Sequence, residues 1–344
     1  MAGTSEHPAL LPARLRPAWW LRGMPQTQTA YVAIAFAALV VAISILAPVF
    51  MTPRNLLNIS KNFSFIALMS LGETLVIISG GIDLSVGSIC ALSAVVTLML
   101  MRLLSATAAA QVPGATIALA TLLALALAAL IGLVNGLLIA RIRLSPFVTT
   151  LGMLSVARGM TYVLTQGRAQ YPTGPDVALF TRFANGTVLG LPTQLVYLLV
   201  LAVLMGLALR HLVWGRHLYA VGGNAQAAAL TGVRVPRVVV SVYALSGLAA
   251  GFSGVLIAGW LGAAPANLAT GYELRVIAAA VIGGANLAGG AGGAAGAVIG
   301  AALIEVIRNG FVLIGANSYW EEVFVGVIII IAVLVDQLRT RRVF

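Results

Sequence analysis

Two carboxylates stand where a carboxylate is expensive. Glu73 and Asp83 lie in the stretch 72–88, which is otherwise apolar or small and is interrupted by Gly80 and Gly81. At the centre of a bilayer an ionised carboxylate costs about 2.5–3.5 kcal/mol on insertion scales. Such groups are kept mainly where the backbone opens and a polar solute passes. Three chemistries fit this pair. The carboxylates can bind solute hydroxyls, accept protons in an ion-coupled cycle, or take up backbone N–H groups freed where a helix breaks. Asp83 is also placed to cap a helix beginning near Leu84. Ser85 and Ser88, one helical turn apart, extend the polar strip. Small residues at that spacing equally serve close helix packing.

Other chemistry is poorly supplied. The single cysteine, Cys90, makes neither an intrachain disulfide nor a cysteine-rich metal site. His7, His211 and His217 lie in basic stretches, and the six-residue gap between the last two suits no shared ligand face. No metal site is expected. The only lysine, Lys61, follows no glycine-rich loop, so the chain has no phosphate-binding P-loop and any ATP must be bound by another polypeptide. Neither a zinc-protease motif nor a serine-hydrolase elbow is present.

The elements that must position Glu73 and Asp83 are membrane spans. Of 344 residues, 60% are hydrophobic and 8% charged, against about 25% charged in a soluble domain. An all-α, polytopic membrane protein of about ten helices follows, some of them short and interrupted. Spans are expected at 28–50, 57–79, 84–101, 115–139, 146–165, 193–213, 237–260 and 322–338. Shorter, glycine-flanked segments are expected at 273–283 and 294–307. Residues 1–27 form an N-terminal tail with Trp19 and Trp20 at the interface, 28–338 the membrane domain, and 339–344 a C-terminal tail. The net charge of +11 belongs with cytoplasmic loops facing anionic lipid rather than with nucleic acid. Arginine placement puts both termini inside.

Two connections are long. Residues 166–192, rich in Gly, Pro and Asn, form an external cap or docking surface too irregular to cross lipid. Residues 214–236 lie inside. There Asn224 reads as an N-cap, Ala225 to Leu230 as a short helix, and Gly232 as its stop. A short helix held between two spans suits contact with a soluble partner. Glu305 and Arg308 are spaced to pair on one helix face. Gly132, Gly136, Gly247, Gly251, Gly292, Gly296 and Gly300 have the spacing of close helix packing. Residues 80–87 are echoed by 283–290, with Asp83 opposite Asn286. This suggests two pseudo-repeated halves with an interrupted segment in each, the pattern of a midplane solute site.

The run 80–88 resembles the signature of sugar permeases of ABC importers, the ribose/galactose/xylose permease family. So do 222–233 and Gly271-Tyr272-Glu273-Leu274 followed by 277–284, in the expected order. The resemblance implies a bacterial inner-membrane subunit without a cofactor of its own. A second permease subunit would complete the path, and cytoplasmic ATPase subunits, holding ATP and magnesium, would drive it. A binding protein outside would deliver a monosaccharide. Under this resemblance Glu73, Gly80, Gly81, Asp83, Ser85, Ser88 and Asn286 line the substrate path. Gly223, Asn224, Ala227, Ala228, Leu230 and Gly232 couple to the ATPase. The chain departs from the family in an almost all-alanine coupling helix, leaving shape and the flanking Arg234 and Arg237 to make that contact. The residues alone leave open an ion-coupled secondary transporter using Glu73 or Asp83, and a scaffold subunit without transport.

Overall fold

The computed structural model describes residues 28–315 together with Trp320, Val323, Gly326, Val327 and Ile330. The tails 1–27 and 339–344, Glu321, Glu322 and most of the span expected at 322–338 lie outside the described residues.

Helix follows helix: α1 (Gln28–Leu46), α2 (Pro53–Ile78), α3 (Val86–Leu104), α4 (Ala115–Ala140), α5 (Pro146–Thr165), α6 (Val177–Asn185), α7 (Thr193–His211), α8 (Val213–Gly223), α9 (Ala225–Leu230), α10 (Val235–Leu261), α11 (Tyr272–Ile282) and α12 (Ala294–Leu313). Seven of these (α2–α5, α7, α10 and α12) are long and apolar enough to span a membrane. Proline opens α2, α5 and α10, where its missing N–H costs nothing. The exposed faces are themselves apolar, with Leu151 and Val156 on α5 and Leu204 and Leu207 on α7. In water such a surface would aggregate; in a bilayer it meets its natural solvent.

α2 is the axis of the bundle. It is buried from Ser64 to Ile78 and packs on α10, α11 and α12. α10 is clasped in turn by α4. The expected glycines make this approach. A Cβ on Gly132 would stand 2.2 Å from the Tyr243 carbonyl, and one on Gly247 would stand 2.3 Å from the Ala128 carbonyl. Cα–H groups thus face carbonyls in both directions, each such contact contributing about 0.5–1 kcal/mol. Gly296 against Gly283, and Gly300 against Ala279, do the same for α11 and α12.

Two expectations need correction. α12 is not a short segment ending at 307, because it runs to Leu313. Its polar stretch survives by internal pairing: Arg308 Nε donates to Glu305 Oε2 at 2.8 Å, and Asn309 and Asn55 exchange two 2.9 Å bonds. The connection 166–192 is also less irregular than its composition suggests. Phe180 and Ala184 bury one face of α6, and Thr187–Val188 pairs antiparallel with Leu191–Pro192.

α11 has 11 residues, about 16 Å of helix and half a bilayer's hydrocarbon thickness. The irregular segment 262–271 leads into it. It is held to the 166–192 connection by a paired bridge between Gln170 and Ala264, with bonds of 3.0 and 2.8 Å.

Candidate functional site

α2 ends at Ile78 because Gly80 takes a left-handed conformation, φ +83°. Its N–H returns to Ile77, and the Gly81 N–H returns to Val76. This is a helix stop that only glycine enters cheaply. Gly81 has a second reason to be glycine: a Cβ there would lie 2.4 Å from the Tyr243 hydroxyl.

Around this break the polar residues converge. The Asp83 backbone N–H donates to Glu73 Oε1 at 3.1 Å. Asp83 Oδ1 accepts from the Ser85 N–H at 3.0 Å and from its hydroxyl at 2.5 Å. Asp83 Oδ2 accepts from Ser246 of α10 at 3.0 Å. Asn135 of α4 donates to Ser85 Oγ at 3.0 Å. The Ile82 carbonyl accepts from Thr150 of α5 and Tyr243 of α10, both at 3.3 Å. Asp83 therefore forms a local turn with Ser85 rather than a side-chain cap on α3, which begins at Val86.

Glu73, Asp83, Ser85 and Ser88 are all fully buried, and among the described residues Glu73 Oε2 and Ser88 Oγ have no hydrogen-bond partner. The structure brings the first three together. Sequence reasoning missed Asn135, Thr150, Tyr243 and Ser246, whose signal was only that each is a polar residue inside an apolar span.

Asn286 does not join this network. It sits in the second break, after α11, where Gly284 (φ +103°) stops the helix as Gly80 does. The Ala285 N–H returns to Ala280 as the Gly81 N–H returns to Val76. Asn286 Oδ1 accepts the Ala288 N–H at 2.8 Å, the same two-residue turn that Asp83 makes with Ser85. The echo is thus real in local geometry. The left-handed glycines align Gly80 with Gly284, so the second break is one residue shorter between stop and turn.

The two breaks meet, and α8 seals their junction. The Gly290 N–H donates to the Ile78 carbonyl at 2.9 Å, joining the glycine loop after α11 to the end of α2. Gly222 presses on that bond: a Cβ there would lie 1.7 Å from the Ile78 oxygen and 2.5 Å from the Gly290 nitrogen. Tyr219 donates to the Gly292 carbonyl at 2.8 Å. Burial pushes the Tyr219 phenol up from its ordinary value, so it remains a donor.

α9 follows directly. Asn224 Oδ1 accepts the Ala227 N–H at 2.9 Å as an N-cap, and Gly232, φ +89°, terminates the turn. Ala228 faces inward, onto a cluster with Ile78, Leu218, Val221 and Tyr243. Asn224, Ala227 and Gly232 are exposed, and Leu230 is 90% exposed. Of the neighbouring glycines, the sequence singled out Gly223. A Cβ on Gly223 would face open space, and Gly222 makes the contact.

At the opposite end, Asp176 anchors α6 to the start of α4. It accepts the Thr116 hydroxyl, the Gly114 N–H at 3.0 Å and the Thr116 N–H at 3.3 Å. These bonds, the Thr116 hydroxyl foremost, hold its carboxyl below the ordinary value of 3.8.

The family model of the branched-chain amino acid transport system / permease component matches residues 55–333. The ribose import permease protein RbsC of Escherichia coli K12 is 39% identical over 308 residues, covering 88% of this chain and 92% of the relative. RbsC of Bacillus subtilis is 37% identical over 302 residues, covering 88% and 90%. The galactose/methyl galactoside import permease protein MglC of Escherichia coli K12 is 37% identical over 302 residues, covering 86% and 90%. No solved structure matches the chain. A broken, glycine-stopped pair of helices inside an apolar bundle, matched to this family over residues 55–333, places the chain in the family of branched-chain amino acid transport system / permease components.

Proposed function

We propose that the chain is the membrane-spanning permease subunit of an ATP-driven importer of a monosaccharide. In the bacterial inner membrane it forms the translocation path with a second permease subunit. A binding protein delivers the sugar at the α6 end, and ATPase subunits engage α9 in the cytoplasm. The substrate class rests on the relatives, which are named for ribose and galactose import although the family is described by amino acid transport.

One observation carries the mechanism: α8 and α9 sit on the junction of the two helix breaks. The exposed side of α9, with Ala227 and Leu230, is the ATPase contact. Its buried side, at Ala228, shares an apolar cluster with Ile78 and Tyr243. A displacement of α9 passes through α8 to the Ile78–Gly290 bond, and through Tyr243 to the Ile82 carbonyl. Packed interiors transmit such shifts because they resist compression. Glu73 and Asp83 hold the break closed in this state, and the buried hydroxyl strip meets solute once the break opens. Gly80, Gly81, Ser85, Ser88 and Asn286 are the path residues at the two breaks.

The test is uptake of labelled ribose and galactose into liposomes holding the purified chain, with and without its ATPase and a loaded binding protein. Uptake only with ATPase and ATP is expected. Uptake by the chain alone, driven by a proton gradient, overturns the proposal. Leu230→Glu is expected to lower sugar-stimulated ATP hydrolysis at least tenfold while the protein still inserts.

A further inference from the structure

We infer that a groove between α2, α7 and α10 holds one acyl chain of an anionic phospholipid whose headgroup sits in a basic recess beside α9. The groove encloses about 470 Å³ and is lined by apolar side chains throughout, apart from the indole of Trp214 at one end. α7 contributes Leu201, Leu204, Met205 and Ala208, one stripe at spacing i, i+3, i+4 and i+7. Positions 245, 248, 249 and 252 of α10, and 68, 71, 72 and 75 of α2, repeat that spacing. Each stripe runs about 10 Å along its helix. The three stripes make a slot that runs along the helices, the direction in which a lipid tail lies. A sugar finds no hydroxyl partner there, and an empty slot would forfeit dispersion contacts along its walls.

Trp214 connects this slot to a second one. It also lines a recess of about 380 Å³ formed with His217, Gly232, Arg234, Arg237, Val238 and Ser241. Its indole N–H donates to Ser241 Oγ at 2.8 Å, which fixes the ring between the two spaces. Among the described residues, neither the Arg234 nor the Arg237 guanidinium has a hydrogen-bond or ion-pair partner. An apolar slot, an aromatic residue at its mouth and two unpaired arginines beyond it match, in order, the tail, interface and headgroup of an acidic lipid. The two arginines, both exposed, therefore line a recess beside α9.

The probe is an equimolar mixture of phosphatidylglycerol and phosphatidylcholine added to the purified full-length chain, with retained lipid counted by native mass spectrometry. The wild-type chain is expected to keep one phosphatidylglycerol, preferred roughly ten- to thirty-fold, as two nearby cations provide. The preference should decline as salt rises. Arg234→Ala with Arg237→Ala should abolish the preference, and Leu204→Trp should plug the slot and end retention of both lipids. Should Leu204→Trp fail to purify, Ala208→Leu fills the same stripe. Equal retention of the two lipids by the wild type overturns the assignment. So does an arginine variant that keeps its preference but loses ATPase binding, which would give these side chains to the ATPase contact.

Discussion

Asp83 shows how a carboxylate is retained at this depth. Its two oxygens take the Ser85 N–H, the Ser85 hydroxyl and the Ser246 hydroxyl, all buried. Each donor left without an acceptor costs about 1–3 kcal/mol. Asp83→Ala is therefore expected to lower the thermal midpoint and sugar uptake together. Asp83→Asn, which keeps an acceptor oxygen for Ser85, should do less harm. Fluorescence-detected size exclusion after heating, run beside uptake, separates the cases. Loss of uptake at unchanged stability would instead make Asp83 a direct contact of the solute. The sequence revealed the carboxylates, because charge stands out in an apolar run. It hid their partners: Asn135 is 50 residues from Ser85, and Ser246 is 163 from Asp83. No helical period links residues so far apart.

At the scale of elements, α8 is the informative piece. Gly222 and Gly223 are alike in sequence but differ in where a side chain would go: a Cβ on Gly222 would strike the Ile78 carbonyl, and one on Gly223, whose backbone lies against Gly290, would meet nothing. Gly222→Ala is expected to force α8 from α2 and to cut uptake at least tenfold, with insertion preserved. Gly223→Ala should be close to wild type, changing helix propensity by only about 1 kcal/mol in its favour. Sugar uptake measured for the two variants side by side decides the matter; equal effects would remove α8 from the transmission route. α9 was legible in full, since an asparagine cap, an alanine run and a glycine stop are all local signals. The length of α12 was not: the Glu305–Arg308 pair was legible from spacing, but hydropathy does not count it, and the Asn55–Asn309 pair joins residues 254 apart. The echo between the breaks was legible to within one residue, a slip that alternating glycines conceal.

Across the whole molecule, the two ends of the bundle are fastened by different means. One end is held by apolar packing around α8 and α9, and the other depends partly on Asp176. A carboxylate whose native value is lowered stabilises the fold above its unfolded value and ceases to do so as pH falls through the native one. The folded chain should therefore lose stability in acid, as pH falls below the ordinary carboxylate value of 3.8 and through the lower native one, in part through this site. Asp176→Asn should be less stable than wild type at pH 7 and no less stable once the wild-type carboxyl is protonated. Thermal midpoints of both proteins across that range test it; a constant difference at all pH values would assign the effect to shape instead of charge. The seven long spans among the described residues were readable from composition because bilayer thickness dictates span length. The docking of the 166–192 connection was not, since it depends on Asp176 reaching 60 residues back to Thr116.

The bond from Gly290 to Ile78 has a consequence for the idle subunit. It ties a loop of one half to the helix end of the other, so neither half can yield while its counterpart stays shut. Liposomes carrying the resting subunit alone are therefore expected to hold an imposed ion gradient, and a fluorescent ion-flux assay that finds a leak would remove this bond as a latch.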